Sequence, residues 1–419
     1  MKQKNSEQEK IKAMAFGYTS EWALAKFFPA IFRDGISNYF DLVSVAGREK
    51  DQEDAAKRLL TEIEKRTHAI KEGKNWRQAN TFAEMGSCLD TVVGFTNNDL
   101  DFFNTQNGVS NINADYDAAI VFVANPFHLT YFTDLINQGK HIVCEKPLVV
   151  VTDKNHNPDR TQLNELEHIV KHAEKRTDRL VLMDAEHYSA KKATITFYEK
   201  LGEMVADYGR ISHIEAHTFE KDDPEKQRTR ALLSTHNQTG LLLDMGVHLF
   251  GVISNIGGDV TKIGDTKYSI YPGHPGCWAY DVETYVKTNF GLEGELFHND
   301  AQGKFTFGKF IDRFKQPIKK DSKEFNVTFR KRNSNKETTV TIDFSKGTVT
   351  DSKGKEWHSD SSPQSNEYQN IMHQFYNAII HGQDPRTSFK RSIKNLNAIH
   401  RIYEQHPPND PGNQTGEYQ

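Results

Sequence analysis

The chain has 419 residues and a formal net charge of −4, from 53 basic and 57 acidic side chains. At roughly 150 residues per domain, this length predicts two or three domains with a sizeable core. The balanced charge excludes the basic footprint of a nucleic-acid-binding protein. Apolar runs reach only about seven residues, whereas a membrane span needs about 20. The polar first ten residues indicate a tail, not a secretory signal.

The three cysteines, Cys88, Cys144 and Cys277, are far apart and odd in number. None lies in a Cys-x-x-Cys or Cys/His ligand spacing, so the sequence predicts neither a disulfide framework nor a metal site. Reduced thiols favour a cytoplasmic protein. The charge balance and the short apolar runs predict neither a nucleic acid nor a membrane as partner.

The first half of the chain alternates apolar strands with amphipathic helices. Strand patterns occur at residues 11–16, 41–46, 118–124, 141–144 and 180–183, and helical patterns at 52–69, 129–138 and 161–176. This alternation predicts a parallel sheet covered by helices. Gly139 can end the second helix, because glycine accepts a left-handed conformation. The polar interval 71–116 is expected to hold short helices near 81–85 and 99–105.

After residue 185 the pattern changes to short alternating segments. They occur at 211–219, 281–290, 294–298, 304–307, 325–329 and 338–344, after a helix over 191–205. Two amphipathic helices follow, at 366–381 and 388–403. We predict an α/β domain over 11–184 and a mixed α+β domain over 185–404, with flexible tails at 1–10 and 405–419.

The turn after the first strand contains one glycine, in Gly17-Tyr18-Thr19-Ser20. Dinucleotide-binding folds usually have three glycines there, which let the pyrophosphate approach the backbone at a helix N-terminus. A single glycine fits nucleotide binding and an ordinary turn equally well. Thr19 and Ser20 can still offer hydroxyl and amide groups to a phosphate.

The second strand ends in Gly47-Arg48-Glu49. An acid at this place usually binds the ribose hydroxyls, whereas an arginine accommodates a 2′-phosphate. Arg48 therefore indicates NADP. An ordinary surface arginine at a strand end is an equal alternative.

Two further motifs follow parallel strands at their carboxyl ends, where open α/β sheets bind ligands. They are Asn125-Pro126-Phe127-His128 and Cys144-Glu145-Lys146-Pro147-Leu148. Pro147 restricts the backbone of Lys146 to extended conformations, which helps to aim its side chain. Spacing alone does not distinguish Lys146 from a surface lysine.

The last motif is Gly-x-x-x-Asp-x-Gly-x-His, from Gly240 to His248. If this stretch is helical, Asp244 and His248 share one face. A carboxylate one turn from an imidazole can orient it and raise its basicity, which suits a general base. A histidine on an apolar helix is otherwise more often a satisfied core residue.

Taken in order, these motifs resemble the glucose–fructose oxidoreductase/inositol dehydrogenase/MocA (Gfo/Idh/MocA) family over about residues 10–404. The resemblance implies a Rossmann domain followed by an α+β domain with a large, mainly antiparallel open sheet. It implies an oxidoreductase acting on CH–OH groups. Hydride would pass between a secondary alcohol of a sugar, polyol or sugar derivative and NADP or NAD, with NADP favoured. Relatives commonly form homodimers or homotetramers.

The resemblance also implies residue roles. Lys146 would hold the substrate hydroxyl near the nicotinamide, Asp244 would position the substrate and His248, and His248 would take the hydroxyl proton. The residues expected to contact the cofactor are Gly17, Thr19, Ser20, Arg48, Asn125, Pro126, His128, Glu145 and Lys146. His187 and Tyr188 are expected to contact the substrate, with core packing as an equal alternative.

Three points stay open. Arg228 and Arg230 could meet a phosphate or carboxylate, although solvent exposure is favoured. A cofactor-retaining glycosidase that acts by transient oxidation is one alternative function. A non-catalytic sugar- or nucleotide-sensing regulator is another, and the reduced glycine turn motivates it.

Overall fold

The computed structural model describes residues 10–20, 23–28, 38–71, 100–106, 109–110, 112–153, 157–221, 240–270, 283–309, 318–332, 336–359 and 367–413. The chain divides into two compact units. The first unit is Met1–Leu148, Ile169–Ala185 and Tyr368–Ser388, and the second is Val149–His168, Glu186–Glu367 and Phe389–Gln419. The predicted helix near 81–85 and the residues Cys88, Cys277, Arg228 and Arg230 lie outside the described residues.

The first unit is built on a six-stranded parallel sheet. Its strands are β1 (Ile11–Phe16), β2 (Phe40–Gly47), β3 (Asp101–Asn104), β4 (Ala118–Val121), β5 (His141–Cys144) and β6 (Leu182–Asp184). They lie in the order β3-β2-β1-β4-β5-β6, and every neighbouring pair is parallel. The order reverses between β1 and β4, which is the topology of a Rossmann sheet. All of β4 and nearly all of β1 are buried, as expected of strands covered on both faces.

The α-helices are α1 (Gln52–Lys71), α2 (His128–Asn137), α3 (Thr161–Glu174), α4 (Lys192–Tyr208), α5 (Leu241–Asn255), α6 (Glu367–His381) and α7 (Phe389–Gln405). The predicted end of α2 is confirmed, since Gly139 has a φ of 73° and donates its N–H to Ile136. From Tyr368 onward α6 is part of the first unit, where Phe375 stacks on Phe40 of β2 with ring centres 6.0 Å apart. None of the described helices is long and apolar enough to cross a membrane.

Residues 99–105, expected to form a short helix, instead contain strand β3. Its residues pair with β2 from Ser44 opposite Asp101 to Gly47 opposite Asn104. A four-residue segment is too short to display a helical or a strand period. The hydrogen bonds of the neighbouring strand decide its conformation, and the local sequence does not reveal them.

The second unit is built on an eight-stranded sheet. Its strands are β7 (Arg210–Glu220), β8 (Asp259–Ile270), β9 (Glu283–Glu293), β10 (Phe297–Lys309), β11 (Ser322–Arg330), β12 (Glu337–Asp343), β13 (Thr348–Asp351) and β14 (Glu356–Ser359). The order is β14-β13-β12-β11-β7-β10-β9-β8. Among the described strand pairs of this sheet, β10 and β7 are parallel and the others antiparallel, and β14 and β8 form the edges. The predicted fold class, a Rossmann domain followed by an α+β domain with a large, mainly antiparallel open sheet, is confirmed.

The second sheet is more extensive than the sequence pattern indicated. The predicted segments 294–298 and 304–307 lie in one strand, β10, and the strands β8, β13 and β14 were not predicted. β8 is an edge strand with polar residues at many positions, so its apolar alternation is weak.

Candidate active site

Four strands of the first unit end side by side. Phe16 of β1 pairs with Ala46 of β2 and Val121 of β4, and Val121 pairs with Cys144 of β5. Ligands of open α/β sheets bind along this carboxyl edge. The candidate residues that follow these strand ends are Gly17, Arg48, Asn125 and Lys146.

Gly17 makes the tight turn after β1. Its φ is 71°, and a Cβ there would lie 2.9 Å from backbone atoms of Phe122 and Val123. The N–H of Gly17 donates to Ala46, and Oγ of Ser20 accepts the N–H of Ala23 at 3.1 Å, at the start of the π-helical turn Ala23–Phe27. Only glycine fits this position without a shift of the neighbouring backbone. The turn is thus compatible with close approach by a dinucleotide.

Two neighbouring charged residues at the end of β2, Glu49 and Arg48, differ in their exposure to solvent. The Glu49 side chain is only 7% exposed, and its Oε1 lies 3.0 Å from Nη1 of Arg58. Burial and the neighbouring Glu49 carboxyl raise the pKa of the Tyr18 hydroxyl well above its usual value. Arg48 is exposed, with its guanidinium carbon 4.4 Å from the centre of the Phe127 ring. Glu49 thus contacts Arg58 inside the protein, whereas Arg48 is exposed to solvent.

His128 is fully buried at the start of α2. Its Nδ1 lies 3.0 Å from the carbonyl oxygen of Leu148, and its Nε2 lies 2.9 Å from that of Val123. Burial lowers the pKa of His128, against the opposing effect of these carbonyls. Both ring nitrogens face the main chain, so His128 ties the Glu-Lys-Pro-Leu loop to the end of β4.

Glu145 and Lys146 follow β5 in that loop, and the Lys146–Pro147 peptide is cis. Both side chains are largely buried. Burial raises the pKa of Glu145 to about 8; the Lys146 charge opposes this and Asp184 adds to it. Within the described part of the chain, Oε1 of Glu145 has no hydrogen-bond partner. A buried polar atom of this kind is one that a cofactor can satisfy.

In the second unit, α5 begins against a buried carboxylate. Gly240 precedes the helix, and a Cβ there would overlap the carboxylate of Glu283. Oε1 of Glu283 accepts the N–H of Leu242 at 3.2 Å and the hydroxyl of Tyr403 at 2.5 Å. A carboxylate near the first turn complements the helix dipole and satisfies an amide. These contacts fix where the helix starts. They therefore also fix the positions of Asp244 and His248, which lie about one and two turns into the helix.

The stretch from Leu241 to Asn255 is helical, which is the condition for Asp244 and His248 to share one face, and both side chains are buried. Oδ2 of Asp244 lies 3.7 Å from Nζ of Lys309 at the end of β10. Lys309 is also 3.0 Å from Oε2 of Glu220, whose Oε1 is 2.6 Å from Nζ of Lys323. Asp244 therefore belongs to a cluster of alternating charges, and no described member is isolated.

His248 contacts a carboxylate that the sequence did not single out. Its Nδ1 lies 2.7 Å from Oε1 of Glu186, and both side chains are almost completely buried. The same oxygen accepts the N–H of Tyr188 at 2.6 Å, and Oε2 accepts the N–H of Ser189 at 3.0 Å. From the sequence, the orientation of this imidazole is assigned to Asp244, so Glu186 is a new member of the group.

Two aromatic side chains pack on the His248 ring. Tyr188 stacks on it, with ring centres 4.6 Å apart and planes 13° apart, and His187 meets it edge-on at 4.2 Å. Tyr188 is buried and His187 is partly exposed. Burial raises the pKa of the Tyr188 hydroxyl. His187 is thus the more accessible of the two predicted substrate-contacting residues.

The two-residue alternation of buried and exposed side chains along a strand could have identified Lys309 and Glu220, which the sequence analysis did not single out. On β10, Lys309 continues the buried face that carries Phe305 and Phe307, and on β7, Glu220 continues the face of Ala216 and Thr218. A charge in the apolar phase of a strand needs a buried partner. Within the described residues, no group of three or more His, Cys, Asp or Glu side chains could hold a metal ion.

Comparisons with known proteins agree with this fold. The Gfo/Idh/MocA family model, which describes an oxidoreductase family with an NAD-binding Rossmann fold, matches residues 79–184. No curated protein sequence matches the chain.

Three solved structures share the fold. The 3-ketoreductase KijD10 from Actinomadura kijaniata, in complex with NADP and TDP-benzene, is 16% identical, covering 93% of this chain and 96% of its own, with a TM-score of 0.60. The WlbA dehydrogenase from Bordetella pertussis, in complex with NADH and UDP-GlcNAcA, is 10% identical (95% and 97% covered, TM-score 0.62). A biliverdin reductase from Synechocystis sp. PCC 6803, in complex with biliverdin and NADP+, is 13% identical (94% and 98% covered, TM-score 0.60). The resemblance is confirmed: the Gfo/Idh/MocA family model matches residues 79–184, and the chain has the Rossmann sheet that this model describes.

Proposed function

We propose that the chain is an NAD(P)-dependent oxidoreductase that transfers hydride between a secondary alcohol of a sugar, polyol or sugar derivative and the nicotinamide, with NADP preferred. The observation that carries the proposal is the buried pair Asp244 and His248, on an otherwise apolar helix. Each has a charged partner, Lys309 or Glu186. Burying ionisable groups costs free energy, so such a group indicates chemistry rather than packing.

The preference for NADP rests on the end of β2. The Glu49 side chain is largely buried and its Oε1 is paired with Arg58, so a ribose 2′-hydroxyl would have to reach its buried Oε2. Arg48 is exposed, and the planar guanidinium group of an arginine suits a 2′-phosphate. The tight turn at Gly17 and the unsatisfied Oε1 of Glu145 also fit a bound dinucleotide.

The cofactor, when bound, supplies the group that accepts or donates the hydride. We assign to His248 the transfer of the hydroxyl proton, to Asp244 the positioning of the substrate, and to Lys146 a hydrogen bond to the reacting hydroxyl. His187 is assigned to the substrate and Tyr188 to the support of the His248 ring. The remaining proposed cofactor contacts are Thr19, Ser20, Asn125 and Pro126, while His128 acts through the loop that it holds.

The similar structures support the reaction class more than the substrate. A 3-ketoreductase bound to NADP and TDP-benzene and a dehydrogenase bound to NADH and UDP-GlcNAcA make nucleotide-linked sugars reasonable first candidates. The likeness to a biliverdin reductase means that the fold alone does not name the substrate.

The proposal is tested by calorimetric titration of the purified chain with NADP and NAD. A panel of sugars, polyols and nucleotide sugars is then screened by nicotinamide absorbance. With an active substrate, Lys146→Met and His248→Asn are each expected to lower kcat by about 100-fold or more. The matched control Lys171→Met changes an exposed lysine of α3 and should leave kcat unchanged.

The alternatives give different results. Unchanged turnover in Lys146→Met would remove the role assigned to that lysine. Binding of neither dinucleotide would favour a sensing regulator. Glycoside cleavage without a net change in nicotinamide absorbance would favour a glycosidase that retains its cofactor.

A further inference from the structure

Glu186, between β6 and α4, is held as an acceptor on both of its oxygens. Oε1 receives the N–H of Tyr188 and Oε2 receives the N–H of Ser189. A backbone N–H can only donate a hydrogen bond. If Glu186 were protonated, its O–H could therefore not donate to either of these two groups. Hydrogen bonds of this kind favour the ionised form.

The third contact of Glu186 defines the proton on His248. Nδ1 lies 2.7 Å from Oε1, which already accepts one N–H. Nδ1 must therefore carry a hydrogen, because an ionised carboxylate has none to give. In the neutral ring the proton-accepting nitrogen is then Nε2.

The space for the Glu186 carboxylate depends on a glycine. Gly251 lies nearly one turn after His248 on α5, and a Cβ there would approach Oε2 of Glu186 to 2.9 Å. A Cβ atom does not normally come within 3.0 Å of a non-bonded heavy atom, so a side chain at position 251 would displace the Glu186 carboxylate. The stacked Tyr188 ring limits movement of the imidazole plane.

Glu186 contacts His248 within a group of other charged and titratable side chains. Asp244 and Glu220 are matched by Lys309 and Lys323, with two charges of each sign. Nearby titratable rings are His187 and Tyr188. A further cation, Lys191, lies with its Nζ 5.7 Å from the centre of the Tyr188 ring. Glu186 contacts the imidazole directly, 2.7 Å from Nδ1, and is therefore placed to compensate its charge.

We infer that Glu186 is the positioning residue of His248, which holds the Nδ1–H tautomer and stabilises the imidazolium formed in the reaction. The inference rests on the proposed function. In alcohol oxidation the hydroxyl proton passes to Nε2, the Nδ1 proton stays in place, and Glu186 stays ionised. The hydride leaves the carbinol carbon for the nicotinamide, so protons and electrons balance. Asp244 is then available to position the substrate.

The first test is Glu186→Gln, which keeps the shape and removes the charge. We expect kcat to fall by about 100-fold or more, while KM changes by less than about threefold. The acid limb of the kcat/KM profile for alcohol oxidation should move to lower pH, because a protonated ring loses its counter-ion. Glu203→Gln, at an exposed ion pair on α4, is the matched control and should change neither quantity.

The second test moves the carboxylate to the neighbouring helix position. Glu186→Ala should be as inactive as Glu186→Gln, and Gly251→Asp alone should also lose activity because of its close contact with Glu186. The double variant Glu186→Ala/Gly251→Asp should recover at least about tenfold over Glu186→Ala. Such non-additivity is the signature of two side chains that compete for one place.

The third test does not depend on turnover. In protein labelled with ¹⁵N-histidine, the signals lost in His248→Asn identify His248, and its Nδ1 should carry the proton in the neutral ring. An Nε2–H tautomer would overturn the inference, as would a folded Glu186→Gln variant with wild-type kcat and an unshifted pH profile. If no substrate is turned over, the proposed function fails, while the tautomer still decides the role of Glu186.

Discussion

The guanidinium carbon of Arg48 lies 4.4 Å from the centre of the Phe127 ring. The two side chains follow different strands of the Rossmann sheet, β2 and β4, and both are exposed. A cation over an aromatic face is oriented by the ring quadrupole, yet it keeps its full charge. Arg48 is therefore ordered at the strand end where dinucleotide-binding folds recognise the adenosine ribose.

Replacing Arg48 should separate the two nicotinamide cofactors. In Arg48→Ala we expect the Kd for NADP to rise by about 10- to 100-fold, which corresponds to losing one charge-assisted contact of about 1.4–2.8 kcal/mol. The Kd for NAD should change by less than about threefold. Calorimetric titration measures both, and Lys57→Ala, at an exposed lysine of α1, is the control. Equal weakening of both cofactors would contradict recognition of the 2′-phosphate.

Two glycines should respond to alanine in opposite directions. Gly17→Ala places a side chain at positive φ against the backbone that follows β4, so we expect destabilisation of at least about 1–2 kcal/mol and weaker cofactor binding. Gly202→Ala, in α4, meets nothing within 4 Å and should stabilise by about 0.5–1 kcal/mol. Thermal unfolding of both variants checks the pair. A neutral Gly17→Ala would mean that the turn relaxes easily.

The parts of the fold that follow from local periodicity could be predicted. Strand–helix alternation leaves few topologies open, since connections between parallel strands are right-handed. The i, i+4 spacing likewise places Asp244 and His248 on one face wherever the stretch is helical, as it is in α5. Arg48 was identified because strand ends of a parallel sheet meet at one edge.

Contacts between distant segments could not be predicted in the same way. Glu186 is 62 residues from His248 in sequence, and Lys309 lies beside Glu220 because the register of β10 and β7 pairs these two residues. Strand β3 was missed for the same reason, since its partner β2 decides its conformation. In each case the deciding partner lies far along the chain, where local patterns carry no information.

The buried lysine of the second unit should be needed for stability. Lys309 is about 2% exposed and lies between the carboxylates of Glu220 and Asp244. Lys309→Met leaves those charges without their buried partner, so we expect a loss of about 3–5 kcal/mol in the free energy of unfolding. Lys309→Met/Glu220→Gln should recover part of it, since one carboxylate is then neutral. Lys267→Met, at an exposed lysine of β8, is the control for urea unfolding.

Equal stability of the single and double variants at position 309 would contradict a charge-based role. The loss would then come from packing of the lysine methylenes, which both variants change in the same way.

Glu145 should make stability depend on pH. Its pKa rises from the ordinary value of 4.5 to about 8 in the folded chain, chiefly because it is buried. Between these values the folded state holds a proton that the unfolded state has lost, so stability falls as the pH rises through this window. Glu145→Gln removes that dependence. The free energy of unfolding of the variant, relative to the wild type, should therefore rise by up to about 1.4 kcal/mol for each unit of pH increase in this window. Urea unfolding without cofactor at pH 5, 6.5 and 8 measures the difference, with exposed Glu165→Gln on α3 as the control. A constant difference across the three pH values would mean that Glu145 is already ionised in the folded protein.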